Sequence, residues 1–150
     1  MKLTILQIED SEEDAALLVK VFKRAGVKNP VVTLRNGDAA IRYLKGEGVY
    51  AARDRFPLPG ILLVDLKLPG ISGLELLEWV RDQPHLKDVL VLAISGYDEL
   101  WRVKRAYASG ARSFLTKPFI EEDVRNLVKV FSGYWVVEDK AARANHQHGD

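Results

Sequence analysis

Residues Gly60 to Gly73 read GILLVDLKLPGISG. Four successive apolar residues, Ile61-Leu62-Leu63-Val64, end on a single aspartate, Asp65, and the turn formers Pro69, Gly70 and Gly73 follow it. An unbroken apolar run, rather than an alternating one, marks a strand buried on both faces. Such strands belong to parallel sheets covered by helices on either side. A carboxylate at the exit of such a strand is costly unless it is paired, metal-bound or protonated. Either Asp65 is an ordinary turn former, or residues elsewhere in the chain are arranged to receive it.

Outward from this stretch, short apolar runs alternate with amphipathic ones. Leu3–Ile8, Val31–Arg35, Gly60–Asp65, Asp88–Ser95 and Ala111–Thr116 read as strands. Helices are expected over Glu12–Ala25, Asp38–Lys45, Leu74–Arg81, Glu99–Ala108 and Glu121–Val137. Ser11 is a good N-cap for the first helix, Asp14 stands in the capping-box position, and Gly26 closes the helix. Five βα units in strict alternation predict a parallel sheet with helices on both faces. Residues 46–59 form a charged loop containing Gly and Pro, read as a surface excursion. The expected division is one domain over 1–137 and a polar tail over 138–150, with His146 and His148 read as part of a solvated tail.

Composition narrows the classes. The chain has 150 residues, enough for one domain with a real core, and is 47% hydrophobic and 29% charged. Its net charge of +1 sets up no field that would draw nucleic acid or an anionic membrane. The absence of cysteine excludes disulfides, thiolate metal sites and a cysteine nucleophile. Met1-Lys2 leads into a short strand rather than a signal-peptide core, and no apolar run is long enough to span a bilayer, so a cytoplasmic protein is expected.

In a parallel α/β sheet the C-terminal strand ends share one edge, where ligands bind. Read together, those ends carry Glu9-Asp10, Asp65, Ser95-Gly96 and Thr116-Lys117-Pro118. Asp65 therefore leaves its strand into a charged cluster. Clustered carboxylates repel unless they are protonated or bridged by a cation. With only oxygen ligands on offer, Mg²⁺ suits the set better than zinc. A carboxylate beside such an ion can accept a phosphoryl group, with Lys117 and Ser95 supplying positive charge and a hydroxyl to its oxygens.

These elements, together with Lys117-Pro118-Phe119, resemble the receiver domain of two-component response regulators over essentially Leu3 to Val137. The resemblance implies a flavodoxin-like (βα)5 doubly wound sheet of strand order 2-1-3-4-5. It implies that Asp65 is the phosphoacceptor for a sensor histidine kinase, and that Asp10, Asp65 and the Lys67 backbone carbonyl bind Mg²⁺, with Glu9 acting through a metal-bound water. Ser95 and Lys117 would contact the phosphoryl group, Phe114 falls at the family's switch aromatic, and a cis Lys117-Pro118 bond is implied. The insertion over residues 43–66 and the C-terminal VKVFSGYW are similar to small stand-alone regulators that partner phytochrome-type kinases. A downstream protein target or phosphotransfer protein is implied. Lys67 departs from the pattern by placing a cation at the mouth of the site.

Competing readings attach to single residues. Glu9 and Asp10 also suit the positive end of the following helix, and Phe114 also suits core packing. An aspartyl-phosphate phosphatase would need a second aspartate where Lys67 stands. A nucleotide-binding module would need a glycine-rich loop where EDSEED stands. A pseudo-receiver that only binds partners is at odds with the complete acidic set, and the residues after Val137 are expected to be too few for a DNA-binding helix-turn-helix. Phe131, Tyr134 and Trp135 suit core or interface equally by spacing, and Trp101 lies off a stripe of Leu100, Val103 and Tyr107. A last helix reaching Val137 would leave some of its aromatics outward, so a homodimer built on that helix is expected, extended by Trp101.

Overall fold

The computed structural model describes residues 2–96 and 99–138. Five parallel strands, β1 (Ile5–Ile8), β2 (Val31–Leu34), β3 (Ile61–Asp65), β4 (Leu90–Gly96) and β5 (Ser113–Lys117), form one sheet of order β2-β1-β3-β4-β5. Between and after them run α1 (Glu12–Arg24), α2 (Gly37–Lys45), α3 (Gly73–Arg81), α4 (Trp101–Ala108) and α5 (Glu121–Val130). This is the flavodoxin-like α/β fold. Among the described residues no helix is long and apolar enough to cross a membrane.

Side chains alternate across a strand, and the central strands use both faces. Ile5, Ile61, Leu63, Leu90, Leu92 and Ile94 pack with Leu18, Phe22, Val124 and Leu127 of α1 and α5. Leu6, Ile8, Leu62, Val64, Val91 and Ala93 pack with Leu44, Leu76, Leu77 and Ala106 on the opposite side. The central β3 is buried at every position, as its apolar run requires. Each buried Val, Leu, Ile or Phe side chain here contributes roughly 1.5–3 kcal/mol by leaving water. The edge strand β2 is only half-buried.

Three expectations change. The last helix stops at Val130, with Phe131 as its C-cap, because Gly133 takes φ +100 and turns the chain back. The β-branched pair Val136-Val137 then runs antiparallel to residues 26–28, with Val137 bridged to Val27 and Lys28 N–H donating to the Val136 carbonyl at 2.7 Å. Phe131, Tyr134 and Trp135 are consequently half-buried against the α1 side of the core, with Trp135 6.1 Å from Phe22. The continuous helical stripe that motivated a dimer on this helix does not exist. In α4 the buried residues are Val103 and Ala106, while Leu100 and Tyr107 are exposed. Trp101, expected off the buried stripe, is indeed 60% exposed.

The loop after α2 is fastened rather than free. Arg53 donates to the carbonyls of Tyr43, Leu44 and Phe56, the first two at the C-terminal end of α2 where a cation is favoured. Tyr43 donates to the Pro57 carbonyl, and its ring packs with Tyr50 and Phe56. His146 and His148 lie outside the described residues, as does the tail beyond Glu138.

Candidate functional site

The two-residue repeat of the strands decides which end groups meet. Ile5, Ile61, Leu63 and Leu115 all face α1 and α5. Continuing that repeat past the last apolar residues gives Asp65 and Lys117 in one step and Glu9 in two, through the buried Gln7. All three therefore emerge on the same side of the same edge. Lys117 Nζ lies 2.8 Å from Glu9 Oε1, 2.8 Å from Asp14 Oδ2 and 3.0 Å from Asp65 Oδ2. The Asp14 and Asp65 contacts are hydrogen bonds. The Glu9 contact is an ion pair without hydrogen-bond alignment, which leaves a buried Oε1 with no hydrogen bond. The Lys117-Pro118 peptide is cis.

The surrounding elements close tightly. Glycine at position 73 lets α3 begin against β3, since a Cβ there would sit 2.2 Å from the Asp65 carbonyl oxygen. Lys67 N–H donates to Asp65 Oδ1 at 2.8 Å. Asp65 is therefore held at both oxygens, by a backbone N–H and by an ammonium.

At the start of α1 the expected capping box is half made. Ser11 Oγ accepts from Asp14 N–H, but Ser11 N–H donates to Glu9 Oε2 at 3.2 Å rather than to Asp14. The Asp14 carboxylate is thereby left for Lys117. Asp14 is a site residue that the sequence reading assigned only to the cap. Its signal was its place in the first turn of α1, beside the edge where the strands end.

Three carboxylates against one ammonium leave excess negative charge. Burial first, and then Asp65 beside it, push the Glu9 carboxyl up to about 7, against the lowering pull of Lys117 and Ser11 N–H. Burial also works against the Lys117 charge. Its carboxylate partners Asp14, Glu9 and Asp65 outweigh that and hold the ammonium above its usual range. Glu9, Asp10 and Asp65 each offer an oxygen within 4.8 Å of the others. An all-oxygen set in which the carboxylates outnumber the ammonium they share fits a hard divalent cation.

Ser95 and Phe114 fall on the other phase of the repeat. Ser95 is buried, with its hydroxyl donating to the Gly96 carbonyl at 3.0 Å and not to the carboxylates. Phe114 packs edge-on against Tyr107 of α4, with centroids 6.3 Å apart. It also lines a groove of about 490 Å³ between β5 and α5, with Arg112, Asn126 and Phe131. That groove is larger than the acidic pocket of about 270 Å³, which is lined by Asp10, Asp14, Asp65, Lys67, Glu99 and Lys117. Glu99 is the second residue the sequence reading missed. It lies just before α4, with no motif to mark it.

Comparison with known proteins agrees with this geometry. A family model described as response regulator receiver domain matches residues 5–129. A probable methanogenesis regulatory protein, FilR2 of Methanothrix harundinacea, is 34% identical over 134 residues, covering 88% of this chain and 83% of its own. The solved bacteriophytochrome response regulator RtBRR is 30% identical at a TM-score of 0.80, covering 93% of this chain and 84% of that one. The Mn²⁺-bound form of response regulator Rcp1 is 26% identical at a TM-score of 0.73, covering 91% and 99%.

Proposed function

The chain belongs to the response regulator receiver domain family, and from that premise we propose that it takes a phosphoryl group from a histidine kinase onto Asp65. It is a phosphoacceptor signalling module rather than a conventional enzyme. The observation that carries the reading is Lys117, whose ammonium bonds Asp65 at 3.0 Å beside three carboxylates within reach of one cation. Glu9, Asp10, Asp65 and the Lys67 carbonyl would hold Mg²⁺, Glu9 through a water. When bound, the ion supplies the positive charge that lets an anionic phosphoryl group approach an anionic acceptor.

The transfer balances simply. An Asp65 carboxylate oxygen forms the new bond to phosphorus while the bond from phosphorus to the kinase's imidazole nitrogen breaks. That nitrogen keeps the electron pair and takes up a proton. Lys117 follows the developing charge from the carboxylate to the phosphoryl oxygens. Ser95 exchanges its Gly96 carbonyl for a phosphoryl oxygen, and Phe114 moves with it, changing the groove that it and Phe131 line. A local hydrogen bond thus biases a two-state face.

The proposed partner is a phytochrome-type sensor kinase, supported by the similarity to a bacteriophytochrome response regulator. The output is a downstream protein or phosphotransfer protein docking on the face of α4, β5 and α5. A homodimer that uses this face and Trp101 is the form proposed in place of one on an extended last helix.

Acetyl phosphate with Mg²⁺ should add one phosphoryl mass that is base-labile. Asp65→Asn and EDTA should each abolish it. Persistent labelling of Asp65→Asn would overturn the assignment.

A further inference from the structure

The outer wall of the acidic pocket carries charges that phosphotransfer leaves without a task. Glu99 is only 8% exposed and is gripped from two sides. Arg102 Nη1 donates to its Oε2 at 2.7 Å, and Lys67 Nζ stands 3.6 Å from its Oε1. The two grips are unequal. Arg102 is mostly covered and makes a charge-assisted hydrogen bond, whereas the Lys67 side chain is 71% exposed and at the outer limit of an ion pair. Arg102 in turn lies over the Trp101 ring, 4.8 Å from its centroid. A chain of contacts therefore runs from Asp65 through the Lys67 backbone and side chain to Glu99, Arg102 and the surface of α4.

We propose that Glu99 is a latch that Lys67 leaves when Asp65 is phosphorylated, so that the charge at the acceptor is reported at Trp101. The latch rests on Asp65 being the acceptor. A phosphoryl group brings a charge of about −1.5 to −2 into the pocket. Lys67, loosely held and already at the mouth, turns to the larger charge. Glu99 is then repelled by the phosphoryl group and held by Arg102 alone. Arg102 moves with its carboxylate and alters its stacking on Trp101, an exposed aromatic beside the basic Lys104 and Arg105. The weakness of the exposed Lys67 pair makes the exchange easy, and the tight Arg102 pair transmits it. The step adds to the Ser95 and Phe114 movement and runs along a different path, through side chains of the pocket mouth rather than through the sheet.

The chain has three tryptophans, so fluorotryptophan-labelled protein gives three fluorine NMR signals, the Trp101 signal assigned by Trp101→Phe. Acetyl phosphate with Mg²⁺ should shift the Trp101 signal. Normalised to the phosphorylated fraction from intact mass, that shift should be lost in Glu99→Gln and in Lys67→Ala and kept in Lys67→Arg. The Trp79 and Trp135 signals of the untreated variants should match wild type, which excludes a folding defect. An undiminished Trp101 shift in both neutral variants overturns the latch and leaves Asp65 as acceptor. A wild type that gains no phosphoryl mass overturns both.

Discussion

Where the strands begin, Asn29 is 6% exposed and its amide is fully used, with Nδ2 donating to the Leu3 and Tyr134 carbonyls and Oδ1 accepting from Val136 N–H. Where the strands end, Glu9 is 1% exposed, yet its Oε1 meets the Lys117 ammonium without hydrogen-bond alignment and its carboxylate is crowded by Asp65. Both are buried polar side chains beside β1. One has both ends of its amide satisfied and ties three segments together. The other is left with more carboxylates than its one shared ammonium can balance, and that excess gives a cation something to gain. Stability is concentrated at one pole and chemistry at the other.

If that division is right, damage to the first pole should be structural and nothing else. Asn29→Ala removes three hydrogen bonds and leaves their backbone partners underused, a loss of about 2–4 kcal/mol. Urea unfolding should show it as a lower midpoint with an unchanged slope. Below the transition, Asp65 should still label from acetyl phosphate. A variant that folds but no longer labels would break the comparison, because it would couple the two poles.

The acidic pole should respond to pH. Glu9 binds its proton more firmly folded than unfolded, since its carboxyl is pushed from 4.5 up to about 7. Its stabilising effect is therefore complete below about pH 4.5 and is lost as pH rises through about 7. In EDTA at about pH 8, Glu9→Gln should be more stable than wild type by about 1–3 kcal/mol, and the gap should close towards about pH 5. Mg²⁺ should stabilise the wild type, increasingly so above about pH 7, because the ion needs the deprotonated carboxylate. A wild type more stable than Glu9→Gln at high pH without metal would show that the Lys117 contact outweighs the crowding.

The two poles also differed in how far they were legible. The carboxylates, Ser95 and Lys117 could be placed from sequence because strand periodicity and the common edge of a parallel sheet fix end residues without any loop geometry. The same period explains why Ser95 and Phe114 lie on the other face from Lys117, a distinction a list of strand ends does not make. Asp14 was hidden because the capping box assigned its carboxylate to the Ser11 N–H, which Glu9 takes instead, leaving Asp14 to Lys117. The C-terminal segment misled because Val128, Phe131 and Trp135 keep a helical spacing across Ser132-Gly133. Asn29 gave no signal at all, since its three partners lie at positions 3, 134 and 136.

The smallest expected effect separates two tryptophans that composition treats alike. Trp135 stands half-buried beside Phe22, so Trp135→Ala removes core contact and should cost about 1–3 kcal/mol, less than for a fully enclosed ring. Its buried indole Nε1 has no hydrogen bond to lose, which keeps the cost to packing alone. Trp101 is 60% exposed, and its ring lies under the Arg102 guanidinium. Trp101→Ala should therefore change stability by no more than about 0.5 kcal/mol. Urea midpoints of the two variants measured side by side decide the matter. A Trp101 variant as unstable as the Trp135 variant would make that ring part of the scaffold. Near-neutral behaviour leaves an aromatic that the fold does not use, placed at the end of the Lys67–Glu99–Arg102 chain where a partner can read it.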